Sequence, residues 1–200
     1  MEESNEKNTE NEISERQRKI AHFFKNKISL IVYAALFLLL WINLQIRTMP
    51  MRLLSATGKP GLWDIARDTW TLGPDLDPFL FLRYAKEIIE TGAISVVDFM
   101  RYMPLGYRTA EETQLLPYMI AYLHKFINIF SSASIEYSAV IFPVVASVFM
   151  VIGFFLLVRR IFQQKGEKTA NAIALVGTAL LIVLPSLLTR TIAGIPEKES

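Results

Sequence analysis

The stretch that decides the fold is Ser138-Ala-Val-Ile-Phe-Pro-Val-Val-Ala-Ser-Val-Phe-Met-Val-Ile-Gly-Phe-Phe-Leu-Leu-Val158. It carries no formal charge and is close to the roughly 20 residues that a helix needs to cross a bilayer. Two more uncharged runs of similar length are Ile28–Ile46 and Ala170–Leu188. Hydrophobic residues make up 52% of the chain and are gathered in such blocks. The sequence therefore predicts an α-helical polytopic membrane protein with these three spans.

A fourth apolar segment, Gln114–Phe130, competes for the membrane. It is shorter than the others and contains His124 and Lys125 well inside it. A central lysine costs a spanning helix about 3 kcal/mol on insertion. A helix that lies along the membrane interface accommodates the same residues without that cost. We therefore expect three spans and one interfacial helix.

Basic residues assign sides to the connections. They are concentrated at the end of the polar tail 1–27 and in the short connection 159–169. The positive-inside rule places both in the cytoplasm. Residues 47–137, a large helical loop, and residues 189–200 then lie on the extracytoplasmic face of the cell membrane.

Composition excludes several function classes. The net charge is only +2 and no helix face carries a basic stripe, so the sequence gives no indication of nucleic-acid binding. The chain has no cysteine, which excludes disulfides, thiolate nucleophiles and zinc–thiolate sites. With only His22 and His124, a histidine-based metal cage is also disfavoured.

The large loop contains one strongly patterned helix, predicted over Pro78–Glu90. Proline suits the first helical position and Thr91-Gly92 suits the end, which puts Asp77 at the N-cap. One face of this helix is apolar, and it consists of Phe81, Leu82, Ala85, Ile88 and Ile89.

Two acidic clusters lie on the predicted outer face, Asp75-Leu-Asp77 and Glu197-Lys-Glu199. Each has an ordinary structural interpretation. Asp77 could be a helix cap worth about 1 kcal/mol, Asp75 a turn residue, and the glutamates a solvated loop. Together, carboxylates from separate loops suit a hard cation such as Mg²⁺ or Mn²⁺. Such an ion can offset charge that develops on a phosphate leaving group.

These clusters resemble the two acidic motifs of the STT3-type catalytic subunit of oligosaccharyltransferase, most closely the archaeal single-subunit form. The first motif is Asp75-Leu-Asp77-Pro78-Phe79, continuing into Leu82-Arg83-Tyr84. The second is Glu197-Lys-Glu199, preceded by Arg190 and Gly194. The resemblance implies a GT-C-type transmembrane region. It covers Asn26–Ser200, the opening part of a family member, so we expect this fragment to be inactive by itself.

The resemblance also implies a reaction and roles. The family transfers an oligosaccharide from a dolichol phosphate or diphosphate to asparagine in Asn-x-Ser/Thr sequons. Asp77 would be the catalytic residue, a carboxylate that binds the metal and lies near the acceptor amide. Glu197 and Glu199 would be further ligands of Mn²⁺ or Mg²⁺, while Asp75 and Arg190 would orient substrate or motif. The partners would be the lipid-linked donor, the acceptor polypeptide and membrane lipids.

Two alternatives stay open from the sequence. In one, the chain is a non-catalytic membrane scaffold or accessory protein and both acidic clusters are surface loops. In the other, it is another GT-C glycosyltransferase that uses a lipid-phosphate sugar, such as a mannosyltransferase.

Overall fold

The structure, a computed structural model, describes residues 30–55 and 58–197. The predicted tail 1–27 and the first two residues of the first predicted span lie outside the described residues. The helices are α1 (Leu30–Arg47), α2 (Met49–Arg52), α3 (Asp77–Thr91), α4 (Leu115–Ile127), α5 (Ile135–Ile161), α6 (Glu167–Val183) and α7 (Pro185–Thr191). Short 3-10 turns cover Thr109–Glu111 and Gln163–Lys165.

Four two-residue strands, which the sequence did not predict, form two antiparallel pairs in the loop region. β1 (Trp63–Asp64) pairs with β2 (Thr69–Trp70), with Trp63 opposite Trp70. β3 (Val97–Asp98) pairs with β4 (Tyr107–Arg108), with Val97 opposite Arg108. Each pair closes a segment of the loop between α2 and α4.

Two described helices, α1 and α5, are long and apolar enough to cross a membrane, and a third crossing is possible if α6 and α7 count as one bent span. α5 has 27 residues, a length of about 40 Å, and extends beyond the predicted 138–158 at both ends. α4 has 13 residues, about 20 Å, which is short for a crossing. The predicted fold class, a helical membrane protein, is confirmed.

The third predicted span is not one continuous helix. α6 ends at Val183, and α7 continues at an angle of 63°. Pro185 is the physical reason, because its ring removes a backbone donor and clashes with the preceding turn. Leu184, the residue before it, is extended, at φ −64° and ψ 117°. The run 170–188, predicted as the third span, is therefore two helices joined at a bend.

α3 begins one residue before its predicted start and ends at Thr91. Gly92 caps it in a left-handed conformation, with a φ of 90°, and its backbone N–H donates to the Ile88 carbonyl. Leu76 is the N-cap, Asp77 is the first helical residue, and no side chain caps the helix. The capping role expected for Asp77 was therefore wrong. The predicted apolar face packs inward, with Phe81, Leu82, Ala85 and Ile88 buried and Ile89 partly buried.

The main hydrophobic core joins the loop region to the first half of α5. It is built from Leu72, Phe81, Leu82, Ala85, Ile88, Leu116, Ile120, Ala121, Ala139, Val140, Phe142, Val144 and Ala193. Each large side chain buried here contributes about 1.5–3 kcal/mol. A second, smaller cluster of Val32, Phe155 and Ala174 joins α1, α5 and α6. The loop region is thus packed onto the helices and is not a separate unit.

A buried carboxylate, Asp98, organises the outer side of α3. Both terminal nitrogens of Arg83 donate hydrogen bonds to it, and the Tyr84 hydroxyl donates another at 2.8 Å. The backbone N–H of Met100 adds a fourth at 3.0 Å. The hydrogen bonds from Arg83 are the main reason that the pKa of Asp98 falls to about 2. Asp98 thereby fixes the β3–β4 pair against α3.

We predict that Asp98→Asn lowers the free energy of unfolding by about 1–2 kcal/mol at neutral pH, since charge-assisted hydrogen bonds are lost. Because the folded pKa lies below the ordinary value, ionised Asp98 stabilises the fold above pH about 4. That contribution is lost as the pH falls from about 4 towards 2. Thermal unfolding of wild type and variant from pH 7 to pH 3 measures it, and their difference should shrink on acidification.

Asp68→Asn is the matched control. Its carboxylate is 81% exposed and lies 3.8 Å from Lys59 Nζ, and its φ of 50° suits asparagine equally well. This variant should change stability little. Two results would contradict the role assigned to Asp98. One is an equal loss of stability in Asp98→Asn and Asp68→Asn, and the other is a stability difference between wild type and Asp98→Asn that does not vary with pH.

Candidate functional site

Residues 73–77 and 194–197, which we call the first and second acidic segments, meet through their backbones. The Gly73 N–H donates a 2.8 Å hydrogen bond to the Gly194 carbonyl. A Cβ added at Gly73 would lie 3.1 Å from Ile195 Cγ1, and one added at Gly194 would lie 2.8 Å from Leu62 Cδ1. Two chain segments can approach this closely because neither residue has a side chain. Asp75 follows Gly73 by two positions and Glu197 follows Gly194 by three.

Gly194 also needs its backbone freedom. Its φ is +90°, a conformation that residues with side chains rarely adopt. This turn aims the Gly194 N–H at the Val140 carbonyl, at 2.9 Å. The second acidic segment is thereby bonded to α5 through its N–H and to the first acidic segment through its carbonyl.

A buried arginine at the end of α1 holds the same segment from a third direction. Arg47 is fully buried, and its Nε donates to Thr191 Oγ1 at 2.8 Å. Its Nη1 donates to the Ile182 carbonyl at 3.3 Å, where the break before Pro185 frees the carboxyl end of α6. Its own carbonyl accepts the Ala193 N–H at 3.0 Å. A guanidinium suits the negative end of a helix dipole, so Arg47 joins α1, α6 and α7.

Glu197, one of the predicted metal ligands, lies at the edge of the core. Its side chain is 8% exposed, and Arg190 Nη1 donates a hydrogen bond to its Oε2. Arg190 itself is 51% exposed, so the ion pair closes the buried carboxylate from the solvent side. The orienting role of Arg190 stays a prediction, and the group that Arg190 binds is the Glu197 carboxylate.

The other predicted site residues differ in their surroundings. Asp75 is exposed, and its Oδ1 accepts the Leu76 N–H at 2.7 Å, which shapes the turn into α3. Asp77 is exposed, and within residues 30–55 and 58–197 its carboxylate has no hydrogen bond or ion pair. Glu199 lies outside the described residues. Among the described residues no group of three histidine, aspartate or glutamate side chains forms a metal site.

Two residues that position this site were missed from the sequence. Arg47 could have been noticed, because a charge at the end of an apolar run is either solvated or bound to another element. Gly73 carried only the general signal of a Gly-Pro turn. Neither residue reveals its partner locally, since Arg47 and Thr191 are 144 positions apart.

The residues of this site lie in a stretch of sequence that matches a known family. Residues 62–199 match the family described as Oligosaccharyl transferase STT3, N-terminal. The chain belongs to the STT3 family. The matched residues include both acidic segments, the glycine contact and the Arg190–Glu197 pair.

STT3 membership gives the protein a function of the oligosaccharyltransferase type, a glycosyltransferase of the membrane. In general terms the STT3 family takes a lipid-linked oligosaccharide as donor and a peptide as acceptor. No curated protein and no solved structure matches the chain.

We predict that Gly194→Ala destabilises the protein by more than Gly92→Ala and also slows glycan transfer by the intact enzyme. Both glycines have a φ of 90°, so each substitution costs about 1–2 kcal/mol in backbone strain. Of the two, Gly194 has close neighbours, with the Gly73 nitrogen 3.3 Å from an added Cβ, whereas Gly92 has none within 4 Å. Thermal unfolding and a transfer-rate assay on both variants separate strain from contact.

Equal losses of stability in the two variants would mean that the close approach at Gly194 contributes nothing. An unchanged transfer rate in Gly194→Ala would mean that the spacing of the acidic segments is not needed for activity.

Proposed function

We propose that the protein transfers a glycan from a dolichol phosphate or diphosphate donor to the side-chain nitrogen of asparagine in Asn-x-Ser/Thr sequons. The observation that carries this proposal is the Gly73–Gly194 hydrogen bond, which sets the two acidic segments of an STT3 chain side by side. The distribution of basic residues supports an extracytoplasmic position for both segments, with a cytoplasmic N-terminus. The archaeal form of the enzyme, and the position of this chain as its N-terminal part, belong to the same proposal.

The acceptor nitrogen is the difficult part of this chemistry. An amide nitrogen is a poor nucleophile because its lone pair is delocalised into the carbonyl. A carboxylate that accepts hydrogen bonds from the amide N–H groups favours the rotated amide, in which the lone pair is available. Asp77 suits this role, because its carboxylate is exposed and no described residue binds it. Asp77 therefore holds and orients the acceptor amide.

The leaving group requires positive charge at the donor phosphate. The available donor set, Asp77, Glu197 and Glu199, consists only of carboxylate oxygens, which fits Mg²⁺ or Mn²⁺ and not a softer metal. These three residues would hold the ion, with Glu199 outside the described residues. When bound, such an ion supplies stabilisation of the charge on the departing phosphate.

Two residues keep the carboxylates in place. Arg190 donates a hydrogen bond to Glu197 Oε2, which helps to fix the rotamer of this long side chain. Asp75 shapes the turn that places Asp77 at the start of α3. The exposed carboxylate of Asp77 is then accessible to substrate. Glu197 is thus held by Arg190, and Asp77 is positioned by the turn that precedes α3.

We predict that Asp77→Asn and Glu197→Gln each lower the rate of sequon glycosylation by the intact enzyme about 100-fold or more. Each variant should also need more Mn²⁺ for half-maximal activity, because one anionic ligand is lost. Asp68→Asn, a neutralised carboxylate outside both segments, should retain wild-type activity. The assay follows transfer of a lipid-linked glycan to a fluorescent sequon peptide as Mn²⁺ is titrated.

Retained transfer in the double variant Asp77→Asn, Glu197→Gln would refute the proposed site. A lowered transfer rate in the single variants with an unchanged Mn²⁺ requirement would remove the metal role and leave Asp77 as a group that acts on the acceptor amide alone.

A further inference from the structure

A charged cleft lies at the junction of α5 and α6, the end of α5 away from the acidic segments. Its volume is about 580 Å³. It is lined by Leu156, Arg159, Arg160, Gln163, Glu167 and Ala170. None of these residues takes part in the site described above, so the cleft has no role in the proposed transfer reaction.

The cleft and its rim are cationic. Residues 159–168 contain four basic side chains and one acidic side chain, Glu167. Within the cleft, Arg159 Nη2 lies 3.5 Å from Glu167 Oε1, and Arg160 Nη1 donates to Gln163 Oε1 at 2.7 Å. A guanidinium has five N–H donors, so each arginine keeps donors beyond these contacts. Two guanidinium groups at one cleft suit a phosphate, which they can bind through several hydrogen bonds.

An apolar strip leads into the same cleft. Leu156 lines the cleft and is 53% exposed, and Phe149, two turns earlier on the same face of α5, is 71% exposed. α5 is long and apolar enough to span a membrane, so a charged end of this helix lies where headgroups are found. The ligand that matches both features has a phosphate at one end and hydrocarbon at the other.

We propose that this cleft binds the headgroup phosphate of an anionic phospholipid. Its acyl chains lie along the apolar strip of α5, and its phosphate lies between Arg159 and Arg160. Basic pockets at the membrane ends of helices are suited to such headgroups. The site is independent of the proposed transfer reaction, and its ligand is a structural lipid that the reaction does not consume.

The test uses the intact protein in a non-ionic detergent with added phosphatidylglycerol, and native mass spectrometry counts the lipids retained. Arg159→Gln with Arg160→Gln should lower phosphatidylglycerol affinity about tenfold. Lys165→Gln with Lys168→Gln removes the same charge from the same connection but outside the cleft lining, and should change affinity less than about twofold. Each single arginine variant should give a smaller loss than the pair, which keeps the test usable if the double variant unfolds.

Equal losses from the arginine and lysine pairs would overturn the proposal, because the attraction would then be diffuse. So would equal retention of phosphatidylcholine, whose headgroup has no net charge. Inorganic phosphate at millimolar concentration should not displace the lipid. Displacement by phosphate alone would assign the cleft to a free anion and refute the lipid.

Discussion

The hydrogen bond from the Gly73 N–H to the Gly194 carbonyl is the constraint on which the candidate site depends. It joins two segments that are 121 positions apart in numbering, each of which carries acidic residues a few positions further on. A Cβ added at Gly73 would lie 3.1 Å from Ile195 Cγ1, and one added at Gly194 would lie 3.3 Å from the Gly73 nitrogen. The two segments therefore lie this close because neither position carries a bulky side chain.

Arg47 and Pro185 make that contact possible. Pro185 breaks the last apolar run, so α7 turns away from α6 and the chain reaches Gly194 beside α5. The break leaves polar backbone groups in an apolar setting, which costs free energy unless they find partners. Arg47 supplies one such partner, since its Nη1 donates to the Ile182 carbonyl, and its Nε donates to the Thr191 hydroxyl on α7. Arg47, at the end of α1, thus binds a backbone carbonyl near the end of the interrupted helix.

Much of the fold could be predicted from local pattern. The uncharged runs and the apolar face of α3 predicted a helical membrane protein with a large helical loop, and the structure adds that this loop packs onto α5. The break at Pro185 could also have been predicted, because proline disfavours a continuous helix. Asp77 was misplaced by one residue as a cap, since a one-residue shift of a helix start is not resolved by composition.

The site was less predictable, for a physical reason. The acidic residues themselves could be picked out from residue type and predicted sidedness, and the STT3 family match includes them. What positions them could not, because the contacts at Gly73 and Arg47 join distant parts of the chain. Gly73 matters because it is small, and Arg47 because it binds a distant carbonyl. Neither property produces a periodic pattern in the sequence. Such residues become visible only when the packing is known.

The most direct measurement is disulfide formation between Gly73→Cys and Ile195→Cys in the intact protein in its native membrane. The chain has no other cysteine. The 3.1 Å from the Gly73 Cβ position to Ile195 Cγ1 is close to the Cβ-to-Sγ distance of about 3 Å across a disulfide. We predict rapid, near-complete cross-linking under mild oxidation and none for the control pair Gly73→Cys, Gly166→Cys. Absence of the first cross-link, or equal cross-linking of both pairs, would contradict the juxtaposition of the two acidic segments.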